Sequence, residues 1–196
     1  MQGKADPVVD TSLRLRILDA AAELTATEGW SAITMVKLGD LAGVSRQSVY
    51  NEVGSKPALA EALVMRELEG FLGAVDAELK TAPTLPTAIE RASEAVFVRA
   101  ADNPLLLAIA SSAHGNSSDL LPFLTTNSQA LIATASDLIS LRIRELFPTV
   151  AIGDKELTIA VDAIVRLVLS HVMQPSGTPA DEAAAVAWIA TRLLGS

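Results

Sequence analysis

Arg46, Gln47 and Ser48 open a short helical stretch just after Ser45. A guanidinium and a primary amide can each make paired hydrogen bonds to a purine edge in a major groove, the first to guanine and the second to adenine. Arg46 and Gln47 are therefore the candidate base readers, with Ser48 beside them. Around them stand groups suited to phosphate oxygens: the hydroxyls of Thr34 and Ser45, the Lys37 ammonium, the Tyr50 phenol and Lys56. Helices capped at Thr34, Ser45 and Ser55 would add free backbone amides with the same preference for anions. Such contacts position a duplex but do not distinguish its sequences.

Those side chains need two short helices to hold them. Residues 34–50 read as a helix begun at Thr34, a break at Gly43 and a second helix capped by Ser45, with Leu38, Leu41, Val44 and Val49 available to pack inward. This is helix-turn-helix grammar, spanning about residues 34–53. A preceding helix carries the stripe Leu13, Ile17, Ala20, Ala21 and Leu24 and closes at Gly29. Ser55 opens a long fourth helix to about Lys80, with Pro57 tolerated in a first turn that has no intrahelical donor to lose.

Further on, Thr87 and Glu90 form a possible capping box for a fifth helix ending near Ala101, and Pro104 starts a short sixth. Residues 120–147 read as a long seventh helix. Asp154 is the expected cap for an eighth over 155–173, and a ninth covers 179–194. Strand alternation is nowhere sustained, so the expected fold is all-α with about nine helices.

Several separated segments carry a resemblance. Arg16-Ile-Leu-Asp-Ala-Ala-Ala-Glu-Leu24, Glu28-Gly29-Trp30, Leu41-Ala-Gly-Val-Ser-Arg-Gln-Ser-Val-Tyr50 and Gly54-Ser-Lys56 resemble the N-terminal domain of TetR-family repressors in order and spacing. The resemblance covers about residues 12–65. It implies a homodimeric transcriptional regulator with a three-helix reading head and a helical C-terminal domain that binds a small ligand and dimerises through its last two helices. It also implies an N-terminal tail over 1–11, a DNA-binding domain over 12–55 and a ligand-binding and dimerisation domain over 56–196. Two positions depart from the family's pattern. Glu52-Val53 replaces a usual His-Phe pair, setting a carboxylate near the expected phosphate path, and Gly39 stands where alanine is usual.

Composition sets the limits of these readings. The 196 residues carry a net charge of −8, are half apolar and 19% charged, and contain no cysteine. Thiolate metal sites, disulfides and cysteine nucleophiles are excluded, and a cytoplasmic setting is expected. Acidity is uneven: residues 1–66 are near balance at −1, and residues 67–196 carry −7. Phosphate attraction acts over about 8 Å at physiological salt, so the near-neutral head remains compatible with DNA. Residues 1–10 lack the long apolar run of a signal peptide, and residues 120–136 hold a polar stretch that a lipid-facing span would not tolerate. No membrane association is expected.

In the C-terminal part Phe71, Val75, Val96, Phe97, Leu106, Ile109, Phe123, Leu124, Asn127, Leu131, Ile164 and Val168 are candidates for lining a cavity between helices. Aliphatic walls with Asn127 and few charges suit a hydrophobic or amphipathic effector, such as one with an alkyl or acyl chain. Val161, Val165, Val168, Val172, Ala183, Ala187, Ala190 and Leu194 are read as a close-packing dimer stripe on the last two helices. His171 is expected to interact with free helix-end carbonyls, and Asp181 and Glu182 with the positive end of the last helix. His114 has no companion at zinc-ligand spacing. Neither a nucleotide-binding glycine motif nor a nucleophile elbow occurs, so no catalytic residue, metal or cofactor is expected. The alternative is a helical carrier of apolar ligands whose head no longer binds DNA, an idea resting on Glu52 and the acidic balance.

Overall fold

The computed structural model describes residues 11–103, 105–106 and 128–194. The described residues form helices without strands: α1 (Thr11–Glu28), a short 3-10 turn (Trp30–Ala32), α2 (Met35–Ala42), α3 (Arg46–Val53), α4 (Lys56–Thr81), α5 (Leu85–Ala101), α6 (Ser128–Leu146), α7 (Asp154–Met173) and α8 (Pro179–Leu193). The all-α expectation holds. The short helix expected from Pro104, and the first turns of the one expected from Leu120, fall largely outside the described residues.

Hydroxyl caps define where the helices begin. The side chains of Thr34, Ser45 and Ser55 accept the backbone N–H of Lys37, Ser48 and Ala58 at 3.2, 3.1 and 3.3 Å. Each satisfies an amide that has no partner within its own helix and contributes about 1 kcal/mol. Gly43 ends α2 in the left-handed conformation, φ 69°, which a side chain would disfavour. Two expected caps are corrected. Thr84, not Thr87, caps α5, because Pro86 is accommodated inside the first turn. Gly153 precedes α7, and Asp154 lies within its first turn, where its carboxylate pairs with Arg144 at 2.9 Å.

Two apolar cores result. The first joins Ile17, Leu18, Ala21 and Leu24 of α1 to Trp30, Ile33, Leu38, Val49 and Val53, and recruits Leu59, Ala60 and Leu63 from the first turns of α4. The second joins the end of α4 to α5, α6, α7 and α8 through Leu79, Leu85, Ala88, Ile143, Leu157, Val161 and Val186. The long helix α4 belongs to both. None of the described helices is long and apolar enough to cross a membrane.

Candidate nucleic-acid interface and apolar cavity

Sequence dictates the geometry of the head locally. Leu38 and Val49 are fully buried, and their burial fixes the roll of α2 and α3. Leu41, expected inside, is 59% exposed, because it falls on the outer face of α2. Gly39 has a packing reason: a Cβ there would stand 2.7 Å from the Val44 carbonyl oxygen, so the turn has closed into the space that an alanine would fill. The amide of Val44 donates to the Gly39 carbonyl at 2.8 Å and locks that approach. On α1, Arg14 donates to the backbone carbonyl of Glu52, and Asp19 accepts from Arg66 of α4 at 2.7 Å.

With that roll fixed, Ser45, Arg46, Gln47, Tyr50 and Asn51 are exposed along one side of α3. Four of them form two one-turn pairs. The Arg46 guanidinium lies 5.3 Å from the Tyr50 ring centre and within 3.4 Å of its hydroxyl, and the Gln47 amide donates to Asn51 Oδ1 at 3.0 Å. These contacts fix both candidate readers along the exposed side of α3. Asn51 was not singled out in the sequence, although its spacing of four from Gln47 is the signal that finds it. Ser48 is half-buried and its hydroxyl shares a hydrogen bond with Ser45 Oγ at 2.9 Å, so it finishes the cap.

The phosphate candidates divide. Thr34 and Lys37 are exposed at the start of α2, where Lys37 Nζ pairs with Glu28 at 2.8 Å. Lys56 sits 5.3 Å over the Trp30 ring, which fixes the direction of its ammonium. Glu52 is half-buried, and its Oε2 is sealed from solvent.

Among the described residues the second core leaves an apolar space. A cavity of about 170 Å³ lies among α4, α5, α6 and α7, and among the described residues that line it Ser93 is the one polar side chain. Of the expected lining set, Phe71, Val75, Val96, Leu106, Ile164 and Val168 are on its wall. Phe97 is buried instead in the core, its ring centre 5.8 Å from that of His171, and Leu131 is half-buried away from the cavity. Ile109, Phe123, Leu124 and Asn127, like His114, lie outside the described residues.

Wall residues not anticipated include Leu68 and Leu72 on α4, Ile89 and Ala92 on α5, and Ala135 and Ile139 on α6. Helical spacing from Phe71 and Val75 points to the α4 pair. The α5 and α6 residues are brought there only by tertiary packing.

The expected dimer stripe is also corrected. Val161, Val165, Val168 and Val172 face the cavity, and Ala183, Ala187, Ala190 and Leu194 are buried within the chain. The exposed apolar side chains of the same two helices are Ile159, Leu169, Met173, Trp188 and Leu193.

At the junction of those helices the Glu182 carboxylate accepts from the Ser176 amide and hydroxyl, the Gly177 amide at 3.0 Å, and pairs with His171 Nδ1 at 3.3 Å. His171 therefore meets a carboxylate, not helix-end carbonyls. Burial alone would raise the Glu182 pKa, but the donors from Ser176, His171 and Gly177 outweigh it and hold the group below the ordinary carboxylate range.

The comparisons with known proteins agree with this architecture. Residues 17–63 match the family model of bacterial regulatory proteins, tetR family, and residues 85–192 match that of the bacterial tetracyclin repressor C-terminal domain. The chain is 33% identical over 180 residues to the HTH-type transcriptional regulator AlkX of Mycobacterium tuberculosis, covering 91% of this chain and 83% of that one. A crystal structure of the TetR family repressor AlkX from a Dietzia species, implicated in biodegradation of n-alkanes, superposes with a TM-score of 0.74 at 26% identity over 98% of this chain and 97% of that one. The fatty acid degradation regulator FadR from Bacillus halodurans shares the fold, with a TM-score of 0.56 at 17% identity over 92% and 97% of the two chains. A reading head built on Leu38 and Val49, an apolar cavity behind it and two family matches spanning both halves lead to one conclusion: the chain belongs to the TetR family of transcriptional regulators.

Proposed function

We propose that the protein is a homodimeric repressor that binds a palindromic operator through residues 12–55 and is released when the domain over 56–196 takes up a small, largely apolar effector. The observation that carries this reading is the cavity: its described wall is aliphatic and aromatic except for Ser93, and it is lined in part by α4, the helix whose first turns complete the core of the head. An engineered apolar void of about 150 Å³ suffices for benzene, so about 170 Å³ receives one section of a hydrocarbon chain. The alkane and fatty acid degradation named for two relatives favours an alkyl or acyl chain.

In the head, Arg46 and Gln47 are the proposed base readers. Thr34, Lys37, Ser45, Tyr50 and Lys56 are the proposed phosphate contacts, and Ser48 shapes the cap. Exposed Ile159, Leu169, Met173, Trp188 and Leu193 support a second copy packed on α7 and α8. Two-fold symmetry then sets the recognition helices about 34 Å apart, or a multiple of that. Acting on DNA in a bacterial cell, the protein works in the cytoplasm and performs no chemical conversion.

The effector acts by population shift. It binds better to a state in which α4 has swung and the two heads no longer match their half-sites, and that difference in affinity sets the loss of operator binding. The test is salt-dependent binding to the DNA upstream of the protein's own gene, with and without ligands extracted from purified protein and identified by mass spectrometry. Sequence-selective binding weakened by an apolar extract supports the reading. Equal binding to every duplex, or recovery of highly charged molecules alone, overturns it.

A further inference from the structure

Leu105 and Leu106 are neighbours in sequence, both in contact with the core of the reading head, and the second also reaches the cavity. Leu105 is 5% exposed within the core of the reading head, beside the residues of α1 and the start of α4. Leu106, half-buried, packs against that core and is also on the wall of the apolar cavity. Successive helical residues point about 100° apart, so a single turn here touches both the head and the cavity.

That turn is fastened by one polar cluster. Asn103, 7% exposed, accepts the Leu106 amide through Oδ1 at 3.0 Å and donates through Nδ2 to Glu67 Oε2 of α4 at 2.6 Å. The same Glu67 oxygen is 3.6 Å from Arg99 Nη2. The Arg99 guanidinium covers the ring of Phe71, 5.4 Å from its centre, and Phe71 is itself on the cavity wall. Gly70 makes room for this: a Cβ there would stand 2.3 Å from Arg99 Nη2. Two wall residues, Phe71 and Leu106, are thus held from behind by side chains that converge on one carboxylate oxygen of α4.

We infer that Glu67, Asn103 and Arg99 are the positioning residues that couple the filling of the cavity to the placement of the DNA-reading head, with Leu105 as the element that engages the head. The inference rests on the effector reading above. An occupant that displaces Phe71 or Leu106 disturbs the Glu67 cluster, and any shift of Leu106 moves Leu105 against Ile17, Leu24 and Leu63, which share its core. A buried polar group such as Asn103 keeps its arrangement only while both its partners are in place, so the cluster favours two discrete states.

The experiment has two arms on the full-length protein. In the first, operator affinity is measured for wild type, Asn103→Ala and Glu67→Gln with and without 1-decanol, and 1-decanol affinity is measured without DNA. Asn103→Ala should shrink the decanol-induced loss of operator affinity at least fivefold while decanol affinity stays within threefold. Glu67→Gln, which keeps an acceptor oxygen for Asn103, should retain most of the response.

In the second arm, amide hydrogen exchange is followed without ligand. Asn103→Ala should accelerate exchange at least tenfold across residues 17–24 as well as at Leu106, with α6 and α7 unchanged. An undiminished decanol response in Asn103→Ala, or acceleration confined to the vicinity of Leu106, overturns the coupling role. If decanol leaves wild-type operator affinity untouched, the effector reading fails, and the exchange pattern alone upholds or refutes the mechanical link.

Discussion

The two apolar cores of this chain differ in how completely they close. In the head, Ile17, Leu38, Val49, Leu59 and Leu63 are sealed to within 1% of full burial around α1 and two short helices whose ends are set by Thr34, Gly43 and Ser45. Behind it, Val75, Ile164, Val165 and Val168 are only half-buried and turn toward a void of about 170 Å³. The lesson is about the division of labour. The helix that carries the proposed readers Arg46 and Gln47 is mounted on tightly sealed side chains, and the apolar void lies in the other half, where the proposed effector would bind.

The largest expected effect tests that difference directly. Leu38→Ala should lower the unfolding free energy by about 2–5 kcal/mol, since a sealed site leaves a cavity, whereas Val168→Ala should lower it by under about 1 kcal/mol because the lost methyls already border open space. Chemical denaturation of both variants measures this, and equal losses would break the comparison.

Next in size, Arg46→Ala should relax base discrimination by about 1–3 kcal/mol, and Lys56→Ala should weaken binding evenly across sequences with a salt slope reduced by about 1. Neither should alter uptake of an apolar probe. Competition assays on a set of single-substitution duplexes decide it, and an even loss for Arg46→Ala would remove it from the readers.

The converse is Ala92→Leu, which extends a buried wall residue into the void. It should stabilise the protein by about 0.5–2 kcal/mol and exclude apolar probes while sparing operator binding. Thermal unfolding and probe fluorescence read the two effects, and unimpaired probe uptake would place the occupied volume elsewhere.

The smallest effect concerns acid. Because the folded state holds the Glu182 carboxylate below its ordinary range, its stabilising contribution is complete above that range. As pH falls through it, the unfolded chain takes up the proton first and the contribution fades. Glu182→Gln should therefore flatten the decline of the melting temperature on acidification below the ordinary carboxylate range, and an unchanged acid slope would refute this role.

Sequence made the head legible because its signals are local. Caps three residues from the amides they satisfy, a left-handed glycine and apolar spacing at Leu38 and Val49 all act within one or two turns. Leu41 escaped that reasoning because apolar character alone does not assign a face. The cavity was legible only in part. Phe71 and Val75 follow from the period of α4, and Ile164 and Val168 from that of α7, but Ala92 and Ala135 join them through packing among helices far apart in sequence. Hydrophobic periodicity likewise did not separate the inner face of α7 and α8 from the outer one, so Val161 and Ala190 were read as partner-facing although both are buried in their own chain. The role of Glu182 was hidden for the same reason, since its donors come from the preceding turn and from the opposite helix.

The Lys37–Glu28 pair, at 2.8 Å, carries a further consequence for the proposed phosphate contact of Lys37. Lys37 already has an anion tethered beside it at a local concentration that dilution of the buffer does not change. When a phosphate takes the place of Glu28, one bound anion is exchanged for another, and Glu28 is left to attract a cation from solution. The salt dependence of operator binding will then be shallower than the number of phosphate contacts implies, keeping occupancy steadier as the ionic strength of the cell fluctuates.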